Sequence, residues 1–113
     1  MRVVKVVAAY DEDKRQDIVF VGRQNSDGKL DDDFEYFGYV TDWTDDTQNY
    51  LRYPFTMAHM GNQYAIIEWG GLDLETRTTI NVFQRRIVVG EKVIRREANE
   101  QTAYSVIEVS AIV

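Results

Sequence analysis

Few residues in the sequence could do catalytic chemistry, and none of them completes a known catalytic pattern. His59 is the single histidine, and there are no cysteines, so disulfides, thiol catalysis and the usual zinc sites are excluded. Glu68, beside Trp69, is the first carboxylate to consider, because a glycosidase needs two carboxylates across a cleft. Among 19 acidic residues, however, some pair always meets that spacing. We predict no catalytic residues and no enzyme activity.

His59 fits a structural role better than a catalytic one. It lies in "FTMAHMGNQYAII", where a hairpin turn at Gly61–Asn62 would place it opposite Tyr64 on a strand face. A lone histidine in that setting is more often structural. Replacing it should therefore leave function intact unless the fold is damaged.

The acidic run Asp31–Asp33 is the candidate for a metal ion. When Gly28 is aligned with the glycine of an EF-hand loop, ligand positions one and twelve fall on Arg23 and Phe34, so two essential carboxylates are missing. A calcium site of another kind at Asp31–Asp33 stays open, and the alternative is a solvated hairpin tip that discourages edge-to-edge pairing. The segment "WGGL" (69–72) lacks the glycines and lysine of a phosphate loop. We predict no metal ion and no cofactor.

Charge is segregated along the chain. The net charge is −6, yet segment 27–46 alone carries −7 and segment 77–96 carries +5. Such segregation affects partners and association rates rather than fold. Strand alternation would divide the bases of the second segment between two faces, which disfavours a nucleic-acid surface. These bases are Arg85 and Arg95 on one face, and Arg86 and Arg96 on the other.

Aromatic residues are concentrated in the middle of the chain. Ten of the fourteen lie between positions 34 and 69, and strand alternation would send them to both faces of a sheet. A single small sheet cannot bury both faces, so a partner surface is a fair inference, since Tyr and Trp are enriched at interfaces. The alternative is a barrel core with its hydroxyls at the rim. The predicted binding residues are Tyr39, Trp43, Tyr50 and Tyr53, with Arg85, Arg86, Arg95 and Arg96.

Strands must position these side chains, because period-2 patterning and turn signals dominate the sequence. Turn signals occur at Asp27–Gly28, Gly61–Asn62 and Gly90–Glu91. The last predicts a hairpin that pairs Val89 with Lys92 and Ile87 with Ile94. The segments rich in β-branched and aromatic residues are Val3–Tyr10, Asp17–Arg23, Phe34–Thr41, Gln63–Trp69, Thr78–Gln84 and Ala103–Val113.

The fold prediction is one all-β domain spanning residues 1–113. It is a small barrel or sandwich of about seven to nine antiparallel strands. Segment 44–53 resists the strand pattern: Thr44 could cap a short helix that Pro54 would end, or the segment is an ordered loop. The apolar start of the chain is too weak for a signal peptide and too short to span a membrane. We expect a cytoplasmic protein, or one assembled into a particle made in the cytoplasm.

The run "VVGEKVIRREANEQTAYSVIEV" (88–109) resembles a hairpin and strand found in many small β-barrels. The shared features are an apolar–Gly–acid–x–Val hairpin and a Y-x-V-x-x-V strand, and phage head–tail joining proteins are among the barrels that have them. The resemblance implies a small β-barrel and assigns no residue roles.

Three functions are compatible with the sequence. The first is a non-enzymatic protein-interaction or assembly module, such as a structural component of a virus particle or of another multi-subunit complex. It would bind a protein partner or another copy of itself, with a basic hairpin meeting an acidic segment. The second is an acidic inhibitor that mimics DNA, and the third is a barrel that binds a small ligand or a carbohydrate.

Overall fold

Alternation of apolar and polar residues forms the strands, as the sequence pattern predicts. At the start of the chain, Val4, Val6 and Ala8 are buried. Lys5 and Val7, which alternate with them, are more exposed. The computed structural model describes residues 1–70 and 77–112. Within these residues the strands are β1 (Arg2–Tyr10), β2 (Asp17–Gln24), β3 (Tyr36–Thr44), β4 (Asn49–Gly61), β5 (Tyr64–Trp69), β6 (Thr78–Ile80), β7 (Lys92–Glu97) and β8 (Glu100–Ala111).

Each strand pairs antiparallel with the next, and β8 returns to β1, so the sheet closes into an eight-stranded barrel. The prediction of an all-β fold of this size is therefore confirmed. Inward-facing side chains fill the barrel: the Tyr36 ring stacks between Phe20 and Phe83, with centroids 6.5 Å and 6.1 Å away. Burying a side chain of this size contributes about 1.5–3 kcal/mol. A packed interior argues against a ligand held at the centre of the barrel.

Gly38 allows β2 and β3 to approach closely. It lies opposite Phe20 in the β2–β3 register. A Cβ atom at position 38 would be 2.0 Å from the carbonyl oxygen of Val19 and 2.8 Å from the Cα of Phe20. No side chain fits at such distances, so only glycine is accommodated. Glycine at such points lets a sheet curve into a barrel.

The connection between β6 and β7, residues 81–91, closes one end of the barrel. It contributes Phe83 and Ile87 to the core. The Ile87 N–H donates to the carbonyl of Gly28 at 2.9 Å, and the side-chain amide of Gln24 donates to the carbonyl of Ile87 at 3.0 Å. Hydrogen bonds therefore hold the connection against the end of β2 and the turn that follows it, and burial of Phe83 and Ile87 holds it against the core.

The predicted hairpin at Gly90–Glu91 is wrong. A turn is present, since the Glu91 N–H donates to the carbonyl of Val88 at 3.1 Å, but residues 87–91 form no strand. Ile87 is buried instead of pairing with Ile94, and β7 pairs with β6 and β8. Burial of a large apolar side chain, about 1.5–3 kcal/mol, favours the packed connection over a local hairpin.

Segment 44–53 is neither a helix nor a long loop, because β4 already begins at Asn49. Gln48 has a φ of 52°, which is incompatible with a continuing right-handed helix. The Thr44 hydroxyl donates to the carbonyl of Asn49 at 3.0 Å, so it closes a hairpin turn instead of capping a helix. Across residues 1–70 and 77–112, no helix is long and apolar enough to cross a membrane.

The turn between β4 and β5 differs from the prediction by one residue. It lies at Asn62–Gln63, with Asn62 at a φ of 52°. A bulge between His59 and Gly61 shifts the register. As a result, His59 is opposite Ala65 and not opposite Tyr64.

The other turns show when glycine is a reliable signal. The turn predicted at Asp27–Gly28 lies one residue earlier, at Ser26–Asp27, because the Gly28 N–H donates to the carbonyl of Asn25 at 3.0 Å. Gly28 follows this turn with the expected positive φ, 87°. The β7–β8 turn at Ala98–Asn99 has no glycine, although Ala98 has a φ of 53°. This hairpin therefore gave no sequence signal.

Candidate binding site

A strip of aromatic and arginine side chains covers the outer face of β3 and β4. Along β3, Tyr36 and Val40 point into the barrel, and the alternate residues Phe37, Tyr39 and Trp43 point outward. Phe37 is 62% exposed and Trp43 is 39% exposed, which is unusual for such large apolar side chains. The aromatic–arginine strip consists of Phe37, Tyr39, Trp43, Tyr50, Arg52 and Arg15.

Stacking contacts order the aromatic–arginine strip. The guanidinium of Arg52 lies 4.7 Å from the centroid of the Tyr39 ring, and that of Arg15 lies 4.8 Å from the Tyr50 ring. Trp43 and Tyr50 meet edge to face, with centroids 5.0 Å apart. Each exposed cation–π contact contributes about 0.5–1 kcal/mol. The side chains are thus arranged before any partner arrives, which lowers the entropy cost of binding.

Residues 11–16, between β1 and β2, fix one end of the strip. The Tyr50 hydroxyl donates to Oδ2 of Asp13 at 2.7 Å, and the backbone N–H of Trp43 donates to the side-chain carbonyl of Gln16 at 3.3 Å. The hydrogen bond from Tyr50 is the main cause that lowers the pKa of Asp13 to about 2. Burial, and then the same hydrogen bond, raise the pKa of the Tyr50 hydroxyl. Asp13 is therefore held ionised, and as a carboxylate it fixes the position of Tyr50 on the strip.

A cavity of about 230 Å³ opens at the barrel end where β3, β5 and β7 finish. Aromatic rings, two carboxylates and one guanidinium surround it, a combination that could hold a small polar ligand. The end pocket is this cavity, and its lining residues are Asp42, Trp43, Thr44, Tyr53, Trp69, Arg95 and Glu97.

Arg95 is the centre of the charged group in the end pocket. Its Nη1 donates to both oxygens of Asp42, at 3.2 Å and 3.1 Å, and to the Tyr104 hydroxyl at 3.3 Å. Its Nη2 donates to Glu97 at 3.1 Å, and its guanidinium lies 5.4 Å from the Trp69 ring centroid. Burial would lower the pKa of Arg95, but Asp42, Tyr104 and Glu97 reverse that effect, and the net direction is upward.

The structure separates the predicted binding residues into several places. Three of them, Tyr39, Trp43 and Tyr50, lie together on the strip, and Tyr53 and Arg95 line the end pocket. The remaining ones are Arg85, which donates to Glu91 at 2.6 Å, Arg86, which is exposed beside Lys29, and Arg96, which is exposed on β7.

Arg95 belongs to the basic segment that was expected to meet the acidic segment of a partner, but it is paired inside its own chain. The Arg95 side chain is only 10% exposed, and its main partner Asp42 belongs to the acidic segment of the same chain. One contact between the acidic and basic segments is therefore internal to the fold. Reversing the charge of Arg95 would damage the fold, so it cannot test a contact between copies.

Several site residues were not predicted. On the strip they are Arg52, whose place on the outer face depends on the pairing of β3 with β4, and Arg15, which the connection between β1 and β2 brings to Tyr50. In the end pocket they are Asp42, Trp69 and Glu97, which come together only because β3, β5 and β7 end at the same side of the closed barrel. Phe37 could have been included from alternation with Tyr39.

The connection before β3 forms an acidic tip with an exposed ring, at the other end of β3 from the end pocket. The carboxylate oxygens of Asp31, Asp32 and Asp33 lie within 4.8 Å of one another. The Phe34 side chain is exposed, and the Arg23 guanidinium lies 4.8 Å from its ring centroid. The acidic tip consists of Asp31, Asp32, Asp33, Phe34 and Glu35.

His59 lies next to Asp32 of the acidic tip, and its contacts are those of a structural residue. Its Nε2 is 2.7 Å from the carbonyl of Asn62, which can only accept, so Nε2 carries the proton. Its Nδ1 is 3.9 Å from Asp32, and its ring packs edge on against Phe83 with centroids 5.0 Å apart. These contacts hold the turn and the connection 81–91 together.

Comparison with protein-family models, with curated proteins and with solved structures gives no match for this chain. Function must therefore be inferred from the surfaces themselves. Two of them carry chemistry suited to binding: the aromatic–arginine strip and the end pocket.

Proposed function

We propose that this protein is a non-enzymatic assembly module that binds a second copy of itself through the aromatic–arginine strip. The observation that carries the proposal is the strip itself, where four rings and two arginines share one outer face. Stacking contacts order three of the rings, Tyr39, Trp43 and Tyr50, and both arginines. Protein interfaces are enriched in aromatic residues and arginine. Phe37 and Trp43 are the large apolar side chains that the strip exposes, and apolar surface rimmed by polar residues is typical of interaction sites.

The acidic tip is the surface of a second copy that complements the strip. It presents clustered carboxylates and the exposed Phe34 ring, whereas the strip presents Arg15, Arg52 and outward-facing rings. Two complementary surfaces at different places on one chain produce a head-to-tail contact, which closes into a ring or continues as a filament. Such a contact suits a structural component of a multi-subunit complex, including a virus particle.

Rings and charges would have different roles in this contact. Exposed ion pairs contribute about 0–1 kcal/mol each, so Arg15 and Arg52 would mainly steer the encounter and set the register. Aromatic side chains that the partner buries, such as Phe37 and Trp43, would provide most of the affinity. High salt should therefore slow assembly more than it speeds dissociation.

Sedimentation velocity over a range of concentrations, at low salt and at 1 M salt, tests the proposal. We expect concentration-dependent association that salt weakens, since the screening length falls to about 3 Å at 1 M. Phe37→Ser should shift the protein toward monomer. Ile107→Ser is the matched control, because Ile107 is also exposed but lies on β8, and it should change nothing. A protein that stays monomeric at every concentration at low salt would overturn self-assembly.

A charge exchange tests the choice of partner surface. Arg52→Glu should weaken association, and Asp32→Arg on the acidic tip should weaken it too. Combining both in one chain should partly restore association, because each contact again joins opposite charges. Both side chains are exposed, so neither change should unfold the protein, although Arg52→Glu also removes the stacking of Arg52 on Tyr39. Additive losses in the combined variant would show that the strip does not meet the acidic tip.

A further inference from the structure

The end pocket carries more negative than positive charge, and the negative charge is nearer its mouth. Asp42 and Glu97 together exceed the single positive charge of Arg95 by one. The side chains of Asp42 and Glu97 are 26% and 33% exposed, against 10% for Arg95. A group that approaches the pocket therefore meets carboxylates first. This potential favours a cation over a neutral or anionic ligand.

A third acid, Glu100, adds to this negative charge on the β7–β8 hairpin. Glu97 and Glu100 are direct cross-strand partners, so their side chains leave the same face of the sheet. Like charges in directly opposite positions destabilise a sheet. Arg95 donates to only one oxygen of Glu97, and the other accepts from the Thr78 hydroxyl at 2.9 Å. A cation bound beside Glu97 would relieve its repulsion with Glu100.

The aromatic lining and the size of the end pocket define the group it can take. Trp43, Tyr53 and Trp69 are among its lining residues, and aromatic rings attract cations through their electron-rich faces. Its volume of about 230 Å³ is below the range of about 300–1,000 Å³ that is usual for drug-sized ligands. The end pocket therefore suits one side-chain-sized group.

We infer that the end pocket is a binding site for one guanidinium or ammonium group. The group belongs either to a free amine or to an arginine or lysine side chain of a docked protein, and the second source rests on the proposed function. Trp43 links the two surfaces, because it belongs both to the strip and to the end pocket. A partner on the strip is therefore close enough to insert a side chain.

Intrinsic fluorescence can report binding, because both tryptophans of the chain line the end pocket. n-Butylguanidinium and n-butylammonium should give a saturable change in emission. n-Butylurea has nearly the same shape without the charge, and it should bind about tenfold more weakly. Equal binding of the urea and the guanidinium, or preferential binding of methyl glucoside, would overturn the inference. Absence of any saturable change would overturn it as well.

Two variants of equal charge change locate the site. Glu100→Gln should weaken guanidinium binding several-fold, since Glu100 is exposed and lies directly opposite Glu97 in the β7–β8 register. Glu35→Gln removes an exposed acid at the other end of β3, and it should leave binding unchanged. Equal effects of the two variants would mean that the pocket responds only to net charge, and the inference would fail.

Two further measurements identify the source of the cation and show whether the binding site exists independently of self-association. Phe37→Ser should shift the protein toward monomer but leave guanidinium binding intact, so the two proposals can fail separately. If a side chain of a docked copy fills the end pocket, n-butylguanidinium should compete with self-association in sedimentation. If the ligand is a free amine, guanidinium should bind without changing the sedimentation profile.

Discussion

The guanidinium of Arg95 and the carboxylate of Asp42 are 53 positions apart in the sequence and in direct contact at one end of the barrel. Nη1 of Arg95 lies 3.2 Å and 3.1 Å from the two oxygens of Asp42. These residues belong to β7 and β3, which are not neighbours in the sheet. The ion pair therefore joins opposite walls of the barrel, whereas backbone hydrogen bonds join only adjacent strands.

Removing Arg95 should destabilise the fold by leaving two carboxylates without their cation. We expect Arg95→Met to lower the free energy of unfolding by about 3 kcal/mol in urea denaturation. Adding Asp42→Asn and Glu97→Gln should recover part of that loss, because the uncompensated charges are then removed. Arg95→Lys should be intermediate, since one ammonium cannot bridge both acids as the planar guanidinium does. A triple variant less stable than Arg95→Met would contradict this account.

Gly38 should tolerate no side chain. Gly38→Ala would place a Cβ atom 2.0 Å from the Val19 carbonyl oxygen, so β2 and β3 must separate. We expect a loss of about 3 kcal/mol in the free energy of unfolding, the upper end for overpacking. Gly70→Ala is the control, because no atom of the described residues, apart from its chain neighbour, lies within 4 Å of its Cβ position. It should change stability by less than about 0.5 kcal/mol. Similar losses in the two variants would exclude a close approach at Gly38.

Acid should weaken the support of the strip by protonating Asp13. The pKa of Asp13 is lowered from 3.8 to about 2, chiefly by the hydrogen bond from Tyr50. A lowered carboxyl pKa stabilises the folded state above pH about 4, and this contribution disappears as the pH falls toward about 2. Tyr50→Phe should raise the pKa of Asp13 and flatten the pH dependence of unfolding in that window. NMR titration of the Asp13 carboxyl measures the shift, and Tyr39→Phe, which changes a different tyrosine of the strip, should leave that pKa unchanged.

The connection 81–91 should behave as part of the core. Ile87 is 1% exposed, and we expect Ile87→Ala to lower the free energy of unfolding by about 2–5 kcal/mol. Val89 is 65% exposed, so Val89→Ala should have an effect within about 0.5 kcal/mol. Urea denaturation of both variants checks the difference. Comparable losses would instead favour a hairpin with both residues on strands.

Features that depend on local pattern could be predicted from the sequence. Alternation alone places Tyr36 apart from Phe37 and Tyr39, and the glycine at position 28 marks a turn at positive φ. These effects act between neighbours in the chain, so a window of a few residues contains their cause. The strand class and the outward-facing rings were accessible for this reason.

Features that depend on closure of the barrel could not be predicted. The local sequence predicts that Ile87 pairs in a hairpin. In the closed barrel Ile87 is buried at one end instead, a position that exists only after the strands have assembled. The excess of acids in one segment and bases in another was visible, but their pairing through Asp42 and Arg95 requires β3 and β7 to face each other. The end pocket has the same origin, because its lining residues come from four different strands.

The three-residue strand β6 (Thr78–Ile80) forms a seam in the barrel, meaning the place where the sheet should open locally most easily. β6 has only three residues to pair with β5 and with β7, whereas β1 has nine and pairs with β2 along almost its whole length. Local opening has the lowest free energy where fewest bonds must break, so amide protons of β6 should exchange with solvent sooner than those of β1. Each opening exposes edges of β5 and β7 that the closed ring otherwise hides. The edges of β5 and β7 at this seam should therefore be the first parts of the sheet to become accessible to solvent.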